Sequence, residues 1–488
     1  MKRNFIYIFF LLIFFVSCQE KVKTPLKLAS VPLLYPDYVN VTVPASIAPL
    51  NFTIVSEKFD LIDVEITGKM KGSLHQQSDE IIQFPENEWH QLLLDNKGSS
   101  LQVVVSLKSD GVWKQYKSFP INISPYSINY GLVYRMIAPG YEVYSKMGIY
   151  QRNLSNFDQK AIVENTLIPG SCVNCHAFNK NNPSSISLHL RGTHGATMLQ
   201  INGKMEMYNT KTDSTLSSCV YPYWHPSGKY IAYSVNKTNQ AFHVVRNERI
   251  EVFDQASDIV VYNVKTNELL ACDLLKTDAL ETFPAFSPDG HTLYFCSSQK
   301  QDIQTGYKKI KYSLCKIAFN PDDGTFGKKV DTLISSSRTG KSISFPRPSF
   351  DGKYLMYTQS DYGNFSIWHR ESDLYLLNLK DRSTRPLKEV NSPETESFHD
   401  WSTNSHWFVF SSRRGDGLYT RLYIASIDNK GRVTKPFLLP QKDPRYYDAS
   451  LFSYNIPEFV TSPVMVNARE IENKALLKER KQMLYRKK

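Results

Sequence analysis

A chain of 488 residues is too long for one ordinary hydrophobic core. With 41% hydrophobic and 13% aromatic residues it is not a disordered chain, and the 29 Tyr favour pleated, half-buried strands over long amphipathic helices. The formal charge of +11 gathers at the ends, in Lys2 and Arg3 and in seven Lys or Arg against one Glu from 474 to 488, so the mildly basic body argues against a nucleic-acid binder.

Lys2 and Arg3 followed by apolar Phe5 to Val16 have the pattern of an export signal. The end of that segment, Phe15-Val16-Ser17-Cys18, resembles a bacterial lipobox, with Phe15 in place of the usual Leu. The resemblance implies loss of residues 1–17, lipidation of Cys18 and, with Gln19 following, an outer-membrane lipoprotein whose exposed face stays open. Residues 18–34 read as a tether. Residues 35–128 carry short alternating runs such as Val39-Asn40-Val41-Thr42-Val43 and Leu101-Gln102-Val103-Val104-Val105, which predict a β-sandwich-like domain.

From 129 to 440 the chain is repetitive. Phe283-Pro284-Ala285-Phe286-Ser287-Pro288-Asp289-Gly290 matches Tyr221-Pro222-Tyr223-Trp224-His225-Pro226-Ser227-Gly228 and Phe345-Pro346-Arg347-Pro348-Ser349-Phe350-Asp351-Gly352. A weaker copy runs from Phe398 through Trp401 to Ser405, and His225 and His406 read as turn and strand residues. The turn glycines recur every 62 residues, each followed by an apolar strand, as a radially repeated blade requires. These copies resemble the TolB-type (PD40, WD40-like) propeller repeat. With blades begun near Leu132 and around Ser187–Tyr208, the resemblance implies six blades. The expected architecture is all-β: a β-sandwich, a six-bladed TolB-like propeller, and a 441–488 tail ending in a basic helix from Ala468 to Tyr485.

Cys172-Val173-Asn174-Cys175-His176 interrupts this region, and Cys-x-x-Cys-His is the attachment sequence of c-type haem. Two thiols form thioethers to the porphyrin and the adjacent imidazole of His176 is the proximal iron ligand. Attachment takes place outside the cytoplasm, in agreement with the export signal. For the distal position His194 ranks first, because Gly192 and Gly195 flank it, followed by Met198 and His189. Alternatives to one covalent haem c are zinc with His189 and His194 as further ligands, a thioredoxin-like pair, or no cofactor. Cys296 and Cys315 are close enough in the sequence for a disulfide, which is left open. Glu281, Arg347, Glu396, His399 and Asp400 lie near the anchors and form a candidate channel-mouth site, with blade-to-blade hydrogen bonding as the plainer reading.

No Gly-x-Ser-x-Gly elbow, phosphate-binding loop or His-Glu-x-x-His helix occurs, so no catalytic constellation is read. The pattern resembles haem-motif TolB-like lipoproteins of Bacteroidetes. That implies electron transfer or redox sensing with a redox or envelope protein partner. The rival is a protein-binding or assembly propeller in which haem is structural or absent, and a third reading is haem with an open distal position, as in a peroxidase.

Overall fold

The computed structural model describes residues 20–55, 58–138, 146–242 and 250–487. The expected signal segment and Cys18 lie outside the described residues. No helix among them is long and apolar enough to cross a membrane.

Beyond residue 130 the chain runs as successive antiparallel meanders. Each blade has an inner strand covered on both faces and therefore largely buried. In Leu280–Phe286 every residue is buried, whereas the outermost strand of the same meander, Thr325–Ile334, is mostly half-buried or exposed. After the inner strand the turn needs a left-handed residue: Gly228, Gly290 and Gly352 have φ of +72°, +79° and +71°. Ser405 holds the same place in the fourth copy with φ +60°.

Four blades stand as separate sheets, not the six expected: two of four strands in sequence order, one closed by a C-terminal strand, and one extended by an edge strand. Between them lies a nine-stranded sheet containing two further meanders, Cys219–Trp224 to Glu268–Ala271 and Leu280–Phe286 to Thr325–Ile334. Their fusion has a local cause. Tyr230–Phe242 and Ile250–Asn263 are 13 and 14 residues long and outrun their neighbours, so Ser257 bridges to Leu280.

The propeller does not end at 440. Ser453–Val460 pairs antiparallel with Gly131–Ile137 and supplies the inner strand of the first meander, so the C-terminus closes the ring. Ile456-Pro457-Glu458-Phe459 repeats the Phe-Pro-x-Phe anchor, but no glycine turn follows because its partner strand lies over 300 residues upstream. The tail helix is also shorter than expected. It spans Ala468–Leu476, capped by Asn467, whose side chain accepts from the Arg469 and Glu470 amides. Lys481–Gln482 and Leu484–Lys487 then add parallel strands to two sheet edges. Lys481 pairs with Glu206 at 2.6 Å, Arg486 with Glu268 at 3.2 Å and Lys487 with Asp273 at 3.0 Å. The basic tail is an edge cover, which blunts open strands.

In place of two facing layers before residue 129, a seven-stranded mixed sheet forms around Ser100–Ser109, with a two-stranded ribbon and the helix Glu86–Asp95. Its core runs on into the last meander: Tyr38, Val41 and Val43 share one cluster with Trp407, Leu422 and Ile424. The second layer is thus partly supplied by the propeller. Cys296 and Cys315 are free thiols and cannot pair. Cys296 lies opposite Leu314 and Cys315 opposite Phe295, and neighbouring positions point to opposite sheet faces.

Candidate functional site along the propeller axis

Six inner strands carry the same irregularity. Cys175, Tyr221, Phe283, Phe345, Phe398 and Ile456 all have φ between 43° and 52°, where bulky residues are outliers. In each inner strand the ladder register slips at or beside that residue, as a β-bulge requires. The bulge turns these side chains toward the axis. Successive rings touch there, with centroids 4.7 Å apart for Tyr221–Phe283, 4.3 Å for Phe283–Phe345 and 4.7 Å for Phe345–Phe398. An aromatic plug therefore crosses most of the channel.

The Cys-x-x-Cys-His sequence occupies this anchor slot in the strand Ser171–Asn179. Cys175 is the ring member without an aromatic side chain or a long aliphatic one. Its ring neighbours Tyr221 and Ile456 are half-buried, while Phe283, Phe345 and Phe398 are buried. Cys172 pairs across the ladder with Arg191 and shares a face with His189 and Ala177, whereas Val173 and Phe178 face the preceding meander. His176 is buried, edge-on to Phe178, and neither ring nitrogen has a hydrogen-bond partner. Burial pushes its imidazole down to about 3. Burial raises the Cys172 thiol, opposed by the Arg135 and Arg191 guanidinium groups. Arg135 is itself buried, with its Nε unpartnered.

The ladder sets Cys172 opposite Arg191, and the Arg135 guanidinium acts on Cys172, Cys175 and His176 alike. The unpartnered His176 is also not peculiar to the motif. His399 holds the matching slot after Phe398, is likewise buried with both ring nitrogens unpartnered, and is pushed down to about 3 by burial. Of the expected distal residues, Met198 is fully buried in a core cluster with Val173, and His189 Nδ1 lies 3.0 Å from Thr197 Oγ1. His194 sits in the turn between Asn182–Gly192 and Ala196–Ile201, its carbonyl accepting from Arg480 and its ring Nδ1 buried without a hydrogen-bond partner. These residues do not converge as zinc ligands: among the described residues, the His, Cys, Asp and Glu side chains that come together in a group of three are Asp63, Glu65 and His75 on the N-terminal sheet.

Beyond the plug the axis opens into a cavity of about 440 Å³. Two residues after the bulge, Ala177, Tyr223, Arg347, Asp400 and Glu458 line it, with Trp224, Phe286 and Phe350 among its walls. Asp400 Oδ2 accepts from the Phe459 amide at 2.8 Å and Glu458 Oε2 from the Phe178 amide at 2.9 Å. Arg347 lies over the Tyr223 ring, 5.3 Å from its centroid. Burial pushes both carboxyl groups up, and Asp400 raises Glu458 further, while Arg347 opposes both.

The expected channel-mouth cluster is thus divided. Arg347 and Asp400 line this cavity, and Glu458 was missed because its strand was read as tail. Glu396 is held inside its blade by Arg414 at 3.0 Å and by Ser392 and Ser412, each at 2.7 Å. Glu281 bonds Thr277, and His399 is buried between blades.

A second cavity, of about 300 Å³, lies between Lys308, Lys311, Asp361, Tyr362, His369 and Glu371. The long Tyr230–Phe242/Ile250–Asn263 hairpin reaches two of its lining residues. Its Glu251 meets His369 at 3.2 Å and Tyr362 Oη at 2.6 Å, and its Asp254 accepts from Asn236 and Asn364. Sequence alone gave no sign of this strap, since its residues match no repeat position.

No family model matches the chain, and no curated protein matches it. Solved structures do resemble it. The periplasmic gluconolactonase of Pseudomonas aeruginosa aligns at 13% identity and TM-score 0.37 over 83% of this chain and all of that one. An oligogalacturonate lyase in complex with manganese aligns at 9% identity and TM-score 0.36, over 63% of this chain and 74% of that one. Prolyl oligopeptidase B of Galerina marginata aligns at 11% and 0.34, over 62% of this chain and 44% of that one. At such identities the likeness concerns fold alone. The chain is a β-propeller protein.

Proposed function

We propose that this is an exported, lipid-anchored binding propeller of six blades, TolB-like, whose axial cavity receives a ligand or a segment of an envelope partner. The observation that carries the reading is the cavity: about 440 Å³, aromatic-walled, with a guanidinium and two carboxylates converging in it. The recurrence of the positive-φ bulge on six inner strands supports the blade number, two blades being merged through the Ser257–Leu280 bridge. The anchor rests on the lipobox-like sequence ending in Cys18 and places the protein in the outer membrane. Labelled fatty acid should enter the wild-type protein and not Cys18→Ser. Screening small fragments by NMR tests the cavity. Shifts should cluster on Tyr223, Trp224 and Phe286, and fragments that perturb only other surfaces would defeat the reading.

A second reading, covalent haem c on Cys172 and Cys175 with His176 as proximal ligand, is favoured by the gap in the aromatic ring at Cys175. Bound there, haem would supply a redox-active iron for electron transfer or redox sensing. Cys172, Cys175 and His176 are buried in a paired strand, so this reading requires Ser171–Asn179 to leave its ladder. Coexpression with cytochrome c maturation machinery and haem staining of a denaturing gel decides it. A stained band absent from Cys172→Ser/Cys175→Ser supports haem; an unstained wild type beside a stained control cytochrome removes it.

A further inference from the structure

We infer that Arg135 is the centre of a further ligand site, which takes a small organic carboxylate across the aromatic plug from the axial cavity. The ladder fixes its place. Arg135 lies opposite Asn455, just before the bulged Ile456, whereas the cavity carboxylate Glu458 comes two residues after that bulge. Cys172 likewise precedes the bulged Cys175 and is paired with Arg191. The site therefore stands on the side from which the inner strands start, independent of the cavity.

What this cluster lacks is a negative charge. Arg135 keeps only 8% of its surface exposed, and its Nε has no hydrogen-bond partner. The groups acting on its guanidinium are the Cys172 and Cys175 thiols, the Tyr221 hydroxyl and Arg191, and none of them is a carboxylate. Burial raises the Cys172 thiol and the Tyr221 hydroxyl, so neither supplies the charge. A buried ion without a partner is strongly unfavourable, and a guanidinium cannot shed its proton to escape that cost. An anion from outside the chain balances it. The planar fork of a guanidinium matches the two oxygens of a carboxylate, which a spherical ion does not. His176 belongs to the same cluster and is buried with both ring nitrogens unpartnered. Its neutral ring has one N–H to donate to the same anion.

The test uses the full-length protein with acetate as probe, and acetamide and chloride at equal ionic strength as controls. In NMR spectra of arginine-labelled protein, the Arg135 Nε–H resonance is identified by its loss in Arg135→Lys. Acetate should move that resonance and acetamide should not. At about a hundredfold excess over its dissociation constant, acetate should raise the melting midpoint of the wild type by about 2 °C or more. Arg135→Met should melt no lower than the wild type in the absence of acetate, because it removes an unbalanced charge, and should gain nothing from acetate. Arg135→Lys keeps the charge and loses the fork, so it should bind acetate at least about tenfold more weakly. It carries the comparison if Arg135→Met fails to fold. If acetamide or chloride acts as well as acetate, or acetate still stabilises Arg135→Met, the inference fails. If acetate changes neither the resonance nor the midpoint of the wild type, Arg135 takes no carboxylate and the site does not exist.

Discussion

Single residues in this protein matter where the repeat leaves no freedom. At Gly290, φ is +79° and an added Cβ would stand 2.2 Å from His225 Nε2. Gly290→Ala should therefore cost about 2–4 kcal/mol, combining left-handed strain with a clash against a buried ring. Gly111→Ala, where φ is +78° and nothing lies within 4 Å, is the control and should cost about 1 kcal/mol. Urea denaturation of both variants measures the difference. Buried histidines set the acid response. His176, His189 and His399 are each pushed by burial from 6.5 to about 3. Their folded forms stay neutral while the unfolded chain takes up protons below 6.5, so stability falls as pH drops from 6.5 toward 3. Each contributes up to about 1.4 kcal/mol per pH unit in that window. His399→Leu should leave stability at pH 7 unchanged or improved, because it removes two unsatisfied nitrogens, and should lessen the loss at pH 4.5. Thermal melts at both values would show it.

At the scale of elements, closure outweighs decoration. Ser453–Val460 pairs with Gly131–Ile137 along its whole length and places Tyr454 and Phe459 in the core. A chain cut after residue 440 should lose cooperative unfolding, because the buried strand Gly131–Ile137 loses its partner and becomes an open edge. A chain cut after residue 479 loses the two edge strands, their exposed ion pairs and the buried Met483 at the edge of one core cluster. It should melt cooperatively, within a few degrees of the full chain. Calorimetry on the two truncations separates these roles. The closing strand carries the anchor pattern in Ile456-Pro457-Glu458-Phe459 but reads as tail, because pairing over such a sequence distance leaves no local pattern. The tail failed differently. Its helical spacing holds for Ala468–Leu476, after which Lys478 takes φ +57° and exposed sheet edges capture the remainder as strand.

Across the whole molecule, the N-terminal unit and the propeller are joined by a common core. Tyr38 and Val43 pack with Trp407 and Leu422, and Tyr126 stacks on His406 with centroids 3.5 Å apart. Removing residues 1–128 should bare that apolar face of the last meander. The remaining propeller should melt earlier than the full chain, and an unchanged midpoint would show that the shared core adds no stability.

By itself, the sequence determined that a propeller forms. Its anchors, turn glycines and inner apolar strands are local, and each repeat states them again. It also singled out Arg347 and Asp400, because both follow an anchor. Tertiary structure decided what local pattern does not encode. It grouped Arg347, Asp400 and Glu458 from three inner strands, the last contributed by the far end of the chain, around one cavity. It also set Cys172, Cys175 and His176 into the anchor slot of a paired inner strand, where all three are buried. Covalent haem at Cys172–His176 therefore depends on whether that strand can leave its ladder.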